Sequence, residues 1–149
     1  VNGDGKADII IGLSREDNYN TRYPSGASYI VYGSDKLPHV TNLYDLGNGG
    51  IMISGDRMPG VNYVGSSVSS AGDVNGDGID DVIVAAFNTN TKVGASYIVY
   101  GNNSLPSTLY LSSLGSGGVT INGDNAPNEF VNFLVSSAGD VNGDGKDDV

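Results

Sequence analysis

The apolar residues of this chain come in short runs, and glycine, asparagine, aspartate and serine separate the runs throughout. In the middle of the chain four such runs follow one another, and no long stretch shows helical periodicity. Several runs are apolar on consecutive positions, which is typical of sheets covered on both faces. The pattern predicts an all-β protein of short antiparallel strands, with strands over residues 64–70, 81–86, 95–100 and 119–122.

The same segments recur along the chain at a constant spacing. The octapeptide at residues 26–33 returns unchanged at residues 94–101, and residues 49–56 return in similar form at 117–124. Self-similarity at such a period marks a repeat architecture, and four strands per unit describe the blade of a β-propeller. We therefore expect a partial blade with strands two to four at 1–61, a complete blade at 62–128, and the start of a third repeat at 129–149.

A further recurring segment is acidic and reads Asp-Val-Asn-Gly-Asp-Gly-x-Asp-Asp. It occupies residues 73–81 (loop 2) and 140–148 (loop 3), and residues 1–8 (loop 1) carry a similar motif that lacks the first aspartate. Side-chain oxygens stand at positions 1, 3, 5 and 9 of the motif. Hard cations such as Ca²⁺ take six to eight oxygen ligands, and the glycine after position 5 permits the sharp turn that wrapping an ion requires. The motif therefore predicts calcium-binding loops.

Two kinds of calcium loop share this spacing. In an EF-hand a glutamate at position 12 closes the coordination shell and begins a helix. Here position 12 is Val84, within a β-branched run that predicts a strand. We therefore expect the last side-chain ligand at position 9 and a backbone carbonyl ligand at position 7. The predicted ligands are Asn2, Asp4, Lys6 and Asp8 in loop 1, Asp73, Asn75, Asp77, Ile79 and Asp81 in loop 2, and Asp140, Asn142, Asp144, Lys146 and Asp148 in loop 3.

A metal-free turn is the alternative interpretation of the motif, because Asp, Asn and Gly favour turns in any protein. Recurrence of the whole motif at domain-scale spacing favours the metal site. The doubled acids at the end of loops 2 and 3 are interpreted as one ligand each, Asp81 and Asp148, beside a solvated or supporting neighbour, Asp80 and Asp147.

Residues 68–78 (Val-Ser-Ser-Ala-Gly-Asp-Val-Asn-Gly-Asp-Gly) and residues 94–97 (Gly-Ala-Ser-Tyr) resemble the FG-GAP repeats of integrin α-subunit propellers and of their bacterial relatives. The resemblance covers nearly the full length. It implies a β-propeller in which each such loop joins the first two strands of a blade and binds Ca²⁺ through the ligands named above. The chain departs from the family at its Phe-Gly pair, which falls on Val64-Gly65 and on Val131-Asn132.

The charge and composition of the chain argue for cation binding and against several other classes of function. The formal net charge is −10, and ten of the 17 acidic residues lie in the three loops, two in the first and four in each of the others. Without a cation these clustered carboxylates repel one another, so removal of Ca²⁺ is expected to lower the stability of the fold. The acidity disfavours nucleic-acid binding, and the lack of a long unbroken apolar run argues against membrane insertion. The chain has no cysteine, hence no disulfide.

The sequence offers little for catalysis. Its one histidine, His39, lies in a connecting segment, and no serine sits in a Gly-x-Ser-x-Gly motif. We therefore predict a non-enzymatic, extracellular adhesion or recognition module for a protein or glycan ligand on a cell surface or matrix. The non-repeating segments 15–24 and 88–92 are its candidate contact surfaces. The alternatives are an accessory domain of a larger secreted hydrolase, which a catalytic domain in the parent protein would favour, and a lectin-like propeller.

Both ends of the chain fall within the acidic motif, so we expect a fragment of a longer propeller. Propellers contain roughly four to eight blades, and an open stack of blades leaves strand edges that can pair with another chain. One arrangement that would cover these edges is head-to-tail self-association, in which residues 130–138 of one copy pair beside residues 9–11 of the next.

Overall fold

The computed structural model describes residues 1–14, 26–55, 61–88, 94–123 and 133–149. Within these ranges the regular structure is almost entirely β, with four additional 3₁₀ turns at Leu43–Asp45, Gly47–Gly49, Leu111–Ser113 and Gly115–Gly117. The strands are β1 (Ile9–Leu13), β2 (Ala27–Val31), β3 (Gly50–Ser54), β4 (Val61–Gly72), β5 (Asp81–Asn88), β6 (Gly94–Val99), β7 (Thr108–Tyr110) and β8 (Gly118–Asn122).

The strands form two four-stranded sheets. The first sheet has the order β1-β2-β3-β7 and the second sheet has the order β4-β5-β6-β8. All neighbours in the second sheet are antiparallel, whereas β7 runs parallel to β3 in the first. The all-β prediction is confirmed, and the expectation of purely antiparallel sheets is wrong for β7. This short strand lies in the connection between β6 and β8 but pairs with β3 of the other sheet.

The four predicted strands of the central unit correspond to β4, β5, β6 and β8. Strand β4 is longer at both ends than the predicted residues 64–70, and β6 ends one residue before the predicted boundary. In the first sheet, β1, β2 and β3 take the places of β5, β6 and β8. The unit boundaries proposed from the sequence remain predictions.

The hydrophobic core lies between the two sheets. One cluster joins Ile30 and Ile53 of the first sheet to Val84 and Val99 of the second, and each of these four side chains is fully buried. Burying an aliphatic side chain of this size contributes about 1.5–3 kcal/mol relative to leaving it exposed. The consecutive apolar positions of β2 and β5 therefore serve face-to-face packing of neighbouring sheets.

Strands β1 and β4 approach each other so closely that both need glycine. A Cβ at Gly12 would overlap the carbonyl oxygen of Gly65, and Gly65 has a φ of +84°, which L residues rarely adopt. Val64 beside it is fully buried in the core between the sheets. Val64-Gly65 stands where the FG-GAP family has Phe-Gly. It differs in the apolar residue but retains both features of that pair, a buried apolar side chain and a glycine after it.

The outer strand of the second sheet is partly exposed. Val119 and Ile121 of β8 are 39% and 40% exposed. Their counterparts in β3, Ile51 and Ile53, are buried in the core cluster between the two sheets, whereas no third sheet packs against this face of the second sheet within the described residues.

Candidate metal centre

Loop 2 connects the first two strands of the second sheet, since β4 ends at Gly72 and β5 begins at Asp81. Gly76 and Gly78 have φ values of +79° and +86°, and the glycines at the same positions of loops 1 and 3 have values between +75° and +87°. Only glycine adopts this conformation at little energetic cost. The three loops therefore share one backbone trace, which the glycine spacing specifies.

The first aspartate of the motif is held by backbone N–H groups. Asp73 accepts hydrogen bonds from the amides of Gly78 and Gly76, each at 2.7 Å, and of Asp77 at 3.0 Å. The Gly78 amide is the main cause of a pKa below the ordinary value for this carboxyl group. Asp140 of loop 3 repeats the arrangement with its own loop amides, and its pKa is lowered in the same way. These amide hydrogen bonds favour the ionised form of both carboxyl groups.

Positions 3 and 5 form two consecutive side-chain turns. The Oδ1 of Asn75 accepts from the amide of Asp77 at 2.8 Å, and the Oδ1 of Asp77 accepts from the amide of Ile79 at 2.9 Å. The Nδ2 of Asn75 also donates to Asp77 Oδ2 at 3.0 Å. The first two bonds recur in loop 1 through Asn2 and Asp4 and in loop 3 through Asn142 and Asp144. These turns are the reason that Asn and Asp alternate with Gly in the motif.

The aspartate at position 9 fastens the loop to its own sheet. The Oδ2 of Asp81 accepts from the amide of Val74 at 3.0 Å, and its Oδ1 accepts from the amide of Gly101 at 2.8 Å. In loop 1, Asp8 binds the Val1 nitrogen and the Gly33 amide with the same geometry. In loop 3, Asp148 Oδ2 accepts from Val141 at 3.0 Å. Position 9 is therefore a structural anchor in addition to a predicted ligand.

Asp81 is fully buried. Burial raises the pKa of its carboxyl group, the hydrogen bonds from Gly101 and Val74 oppose that rise, and the charge of Asp77 adds to it. The ion pairs recorded among the described residues join Val1 to Asp8 and Lys6 to Asp35, so neither involves Asp81. A buried carboxylate in this setting is electrostatically suited to a nearby cation.

The side chain at position 7 lies over the preceding loop. Ile79 of loop 2 covers Gly3 of loop 1, where an added Cβ would be 3.2 Å from Ile79 Cδ1, and Lys146 of loop 3 covers Gly76 of loop 2. Lys6 of loop 1 instead forms an ion pair with Asp35 at 2.8 Å. The predicted role of position 7 concerns its carbonyl oxygen alone, and that role remains a prediction.

Loops 2 and 3 are also joined by a contact that the sequence analysis missed. Asp147 Oδ2 accepts from the amide of Asp73 at 2.9 Å, and the amide of Asp147 donates to the Asp73 carbonyl at 3.2 Å. Sequence analysis had assigned Asp147 only as a solvated or supporting acid. The role of Gly101 was also missed, although its recurrence with Gly33 at the end of an unchanged octapeptide was a usable signal.

The donor chemistry of the loops fits Ca²⁺, because carboxylate and amide oxygens are the hard ligands this ion takes. In the conformation recorded here, however, the oxygens are directed largely to backbone amides. No three acidic or histidine side chains lie close enough together to hold a metal within the ranges that the structure describes. Asp73 Oδ2 and the two oxygens of Asp77 each accept one hydrogen bond and retain a further lone pair for a cation, whereas Asp73 Oδ1 already accepts from two amides.

Residues 64–99 match the family model of the FG-GAP repeat. The matched segment contains β4 from Val64 onward, the whole of loop 2, β5 and β6. The FG-GAP resemblance is thus confirmed for residues 64–99, and the two sheets represent roughly two blades of a β-propeller. Comparisons with curated proteins and with solved structures give no match for the chain.

The contact surfaces predicted from the sequence fall largely outside the described residues. This is so for the whole of segment 15–24, and for segment 88–92 apart from the backbone of Asn88 at the end of β5. Among the surfaces that are described, a cavity of about 660 Å³ opens beside loop 2 of the FG-GAP repeat. Its lining includes Asn75, Asp77, Tyr100, Asn102 and Tyr110.

Proposed function

We propose that this chain is a calcium-binding, non-catalytic segment of an extracellular β-propeller that serves in adhesion or recognition. The observation that carries the proposal is the common trace of the three loops, which presents alternating Asp and Asn oxygens above a position-9 aspartate. In loop 2 the ion would be held by Asp73, Asn75, Asp77, Asp81 and the Ile79 carbonyl, and loop 3 would use its equivalent residues. The ion would neutralise carboxylates that otherwise repel one another.

Calcium titration tests this proposal. We expect the chain to bind two Ca²⁺ ions in calorimetry, one in each complete loop, with affinities on the order of 10⁻⁴–10⁻³ M. Calcium at about ten times the dissociation constant should raise the free energy of unfolding by roughly 1.4 kcal/mol per site. The variants Asp77→Asn and Asp144→Asn should each weaken one site about tenfold or more, because each removes a ligand charge.

Asp45→Asn is the matched control, since it makes the same chemical change at an exposed acid outside the loops. It should leave both sites intact. If calorimetry detects no heat and the melting temperature is the same in calcium and in chelator, the proposed calcium function is wrong.

One further observation supports the non-catalytic, extracellular part of the proposal: FG-GAP repeats are typically non-catalytic modules and typically extracellular. Separately, no helix among the described residues has the length and hydrophobicity needed to cross a bilayer.

A glycan is the second candidate ligand, and the cavity beside loop 2 favours it. The volume of about 660 Å³ is suited to a small ligand, and Tyr110, which is 42% exposed, offers an aromatic ring near the amides of Asn75 and Asn102. A glycan array should show binding by the wild-type chain, loss of binding by Tyr110→Ala, and no loss by Tyr44→Ala, which removes an exposed tyrosine outside this cavity. An array without any bound glycan would exclude this candidate.

A further inference from the structure

Loop 3 is fastened to loop 2 through the residue that follows position 7. The Oδ2 of Asp147 accepts from the amide of Asp73 at 2.9 Å, and the amide of Asp147 donates to the Asp73 carbonyl at 3.2 Å. Because hydrogen bonds are directional, two bonds to one residue hold the two backbones at a defined distance and orientation. Lys146, the neighbour of Asp147, is therefore placed against the first predicted ligand residue of loop 2.

The side chain of Lys146 extends over loop 2. A Cβ added at Gly76 would lie 2.9 Å from Lys146 Cε and 3.5 Å from its Nζ. The charged end of the side chain, as well as its apolar stem, thus reaches the acidic loop. Neither of the ion pairs recorded among the described residues includes Lys146. In that part of the chain its ammonium group faces the loop without being paired to one carboxylate.

Position 7 carries a different residue in each of the three loops that the structure describes. Ile79 of loop 2 lies over Gly3 of loop 1, where an added Cβ would be 3.2 Å from its Cδ1, but Ile79 has no charge. Lys6 of loop 1 has a charge, which is paired with Asp35 at 2.8 Å. Among these three residues Lys146 alone brings a positive charge over the loop of the preceding repeat.

The charge of Lys146 acts on loop 2 more than on its own loop. The pKa of Asp73 is lowered chiefly by the hydrogen bond from the Gly78 amide, and the charge of Lys146 contributes to the same shift. The pKa of Asp140, the equivalent residue of loop 3, is lowered chiefly by the Gly145 amide, and Lys146 is not among the causes. The ammonium group therefore offsets repulsion among the carboxylates of loop 2.

We propose that Lys146 is an affinity-determining residue for loop 2: its ammonium group, supplied by the following repeat, stabilises the metal-free loop and lowers its affinity for Ca²⁺. The inference rests on the proposed calcium function. It adds that the residue at position 7 of one repeat sets the cation affinity of the repeat before it. Because Ca²⁺ is divalent, a unit charge roughly 7 Å from the ion changes its affinity on the order of three- to tenfold at moderate ionic strength.

Calcium titration followed by amide NMR tests the proposal, because it reports each loop separately. The amides of Gly78 and Gly145 donate to the position-1 aspartates of loops 2 and 3 at 2.7 and 2.9 Å, so each signal reports on its own loop. In Lys146→Gln we expect the affinity of loop 2 to rise about three- to tenfold, and that of loop 3 to change by less than about twofold.

Two control variants separate the charge of Lys146 from its packing. Lys146→Arg keeps the charge and a long stem over Gly76, so it should bind calcium as the wild type does. Lys36→Gln removes the same charge from an exposed lysine outside the loops, and both affinities should stay within about twofold of the wild type.

Ionic strength distinguishes the two roles further. The difference at loop 2 between the wild type and Lys146→Gln should fall below about twofold in 1 M KCl, where the Debye length is about 3 Å. A difference caused by lost packing would persist at that salt concentration.

Urea unfolding in chelator gives a readout that needs no metal. There the ammonium group offsets repulsion in loop 2, so Lys146→Gln should unfold at a lower urea concentration than Lys146→Arg. In saturating Ca²⁺ the tighter binding of Lys146→Gln opposes this loss of stability. The difference between the two midpoints should then shrink or change sign.

Three outcomes would overturn the proposal, and they differ in what else they contradict. If Gly78 shifts with calcium and Lys146→Gln binds with the wild-type affinity, Lys146 does not set the affinity, and the calcium function stands. If Lys146→Gln and Lys146→Arg raise the affinity equally, packing and not charge determines it. If Ca²⁺ up to about 10 mM, well above the expected dissociation constant, leaves Gly78 unshifted in the wild type, the calcium function of loop 2 is wrong as well.

Discussion

Loops 2 and 3 have the same sequence at eight of nine positions, yet the structure gives them different surroundings. In loop 2 the position-9 aspartate is fully buried and accepts from the amide of Gly101, which follows β6, and Lys146 covers Gly76 of the same loop. In loop 3 most residues are exposed, and Asp148 bonds within its own loop and its flanks. The motif specifies the turn, whereas the strands that follow it specify the burial of the anchor.

The largest predicted effect concerns that buried anchor. Asp81→Ala should lower the free energy of unfolding by about 3 kcal/mol, because it leaves the amides of Val74 and Gly101 without their acceptor. Asp148→Ala, the same change in loop 3, should cost less than about 1 kcal/mol because water can reach its exposed partners. Urea unfolding in chelator measures both values. Equal losses in the two variants would show that burial does not distinguish the loops.

A smaller effect is predicted for the glycine that supplies the amide to Asp81. In Gly101→Ala a Cβ would overlap the carbonyl oxygen of Asp80 and press on Ile79, so the variant should lose about 2 kcal/mol. Gly117→Ala is the control, because a Cβ there meets nothing within 4 Å and its φ is not in the left-handed region. The control should change stability by less than about 1 kcal/mol. Comparable losses in both variants would contradict the close approach at Gly101.

The smallest predicted effect concerns the contact between the two loops. Asp147→Ala removes the acceptor of the Asp73 amide and should cost about 1 kcal/mol. Asp80→Ala makes the same change at position 8 of loop 2, where the side chain is exposed, and should stay within about 0.5 kcal/mol of the wild type. Thermal unfolding of the two variants gives the comparison. If Asp80→Ala is the more destabilised of the two, the link between loops 2 and 3 is wrong.

Much of the fold was predictable because its determinants are local. Apolar β-branched runs located the strands of the central unit, and the paired glycines of each acidic motif required the loop conformation that the structure contains. The short strand β7 could not be predicted, since Thr108–Tyr110 carries too short a pattern and pairs with β3, which lies far earlier in the chain. The bonds of Gly101 to Asp81 and of Asp147 to Asp73 likewise arise from packing between segments distant in sequence.

In loops 2 and 3 the position-7 side chain lies over a glycine of the preceding loop. This contact makes the sequence of one repeat depend on that of the repeat before it. Gly76 is constrained twice, by its own φ of +79° and by the stem of Lys146 above it. A substitution at either place would have to be matched at the other, so these two sites are expected to co-vary during divergence. Repeats in such an array are consequently not interchangeable, because each one packs against the repeat before it. Exchanging or duplicating a repeat would require a matching change in the contact between the position-7 side chain and the glycine of the preceding loop.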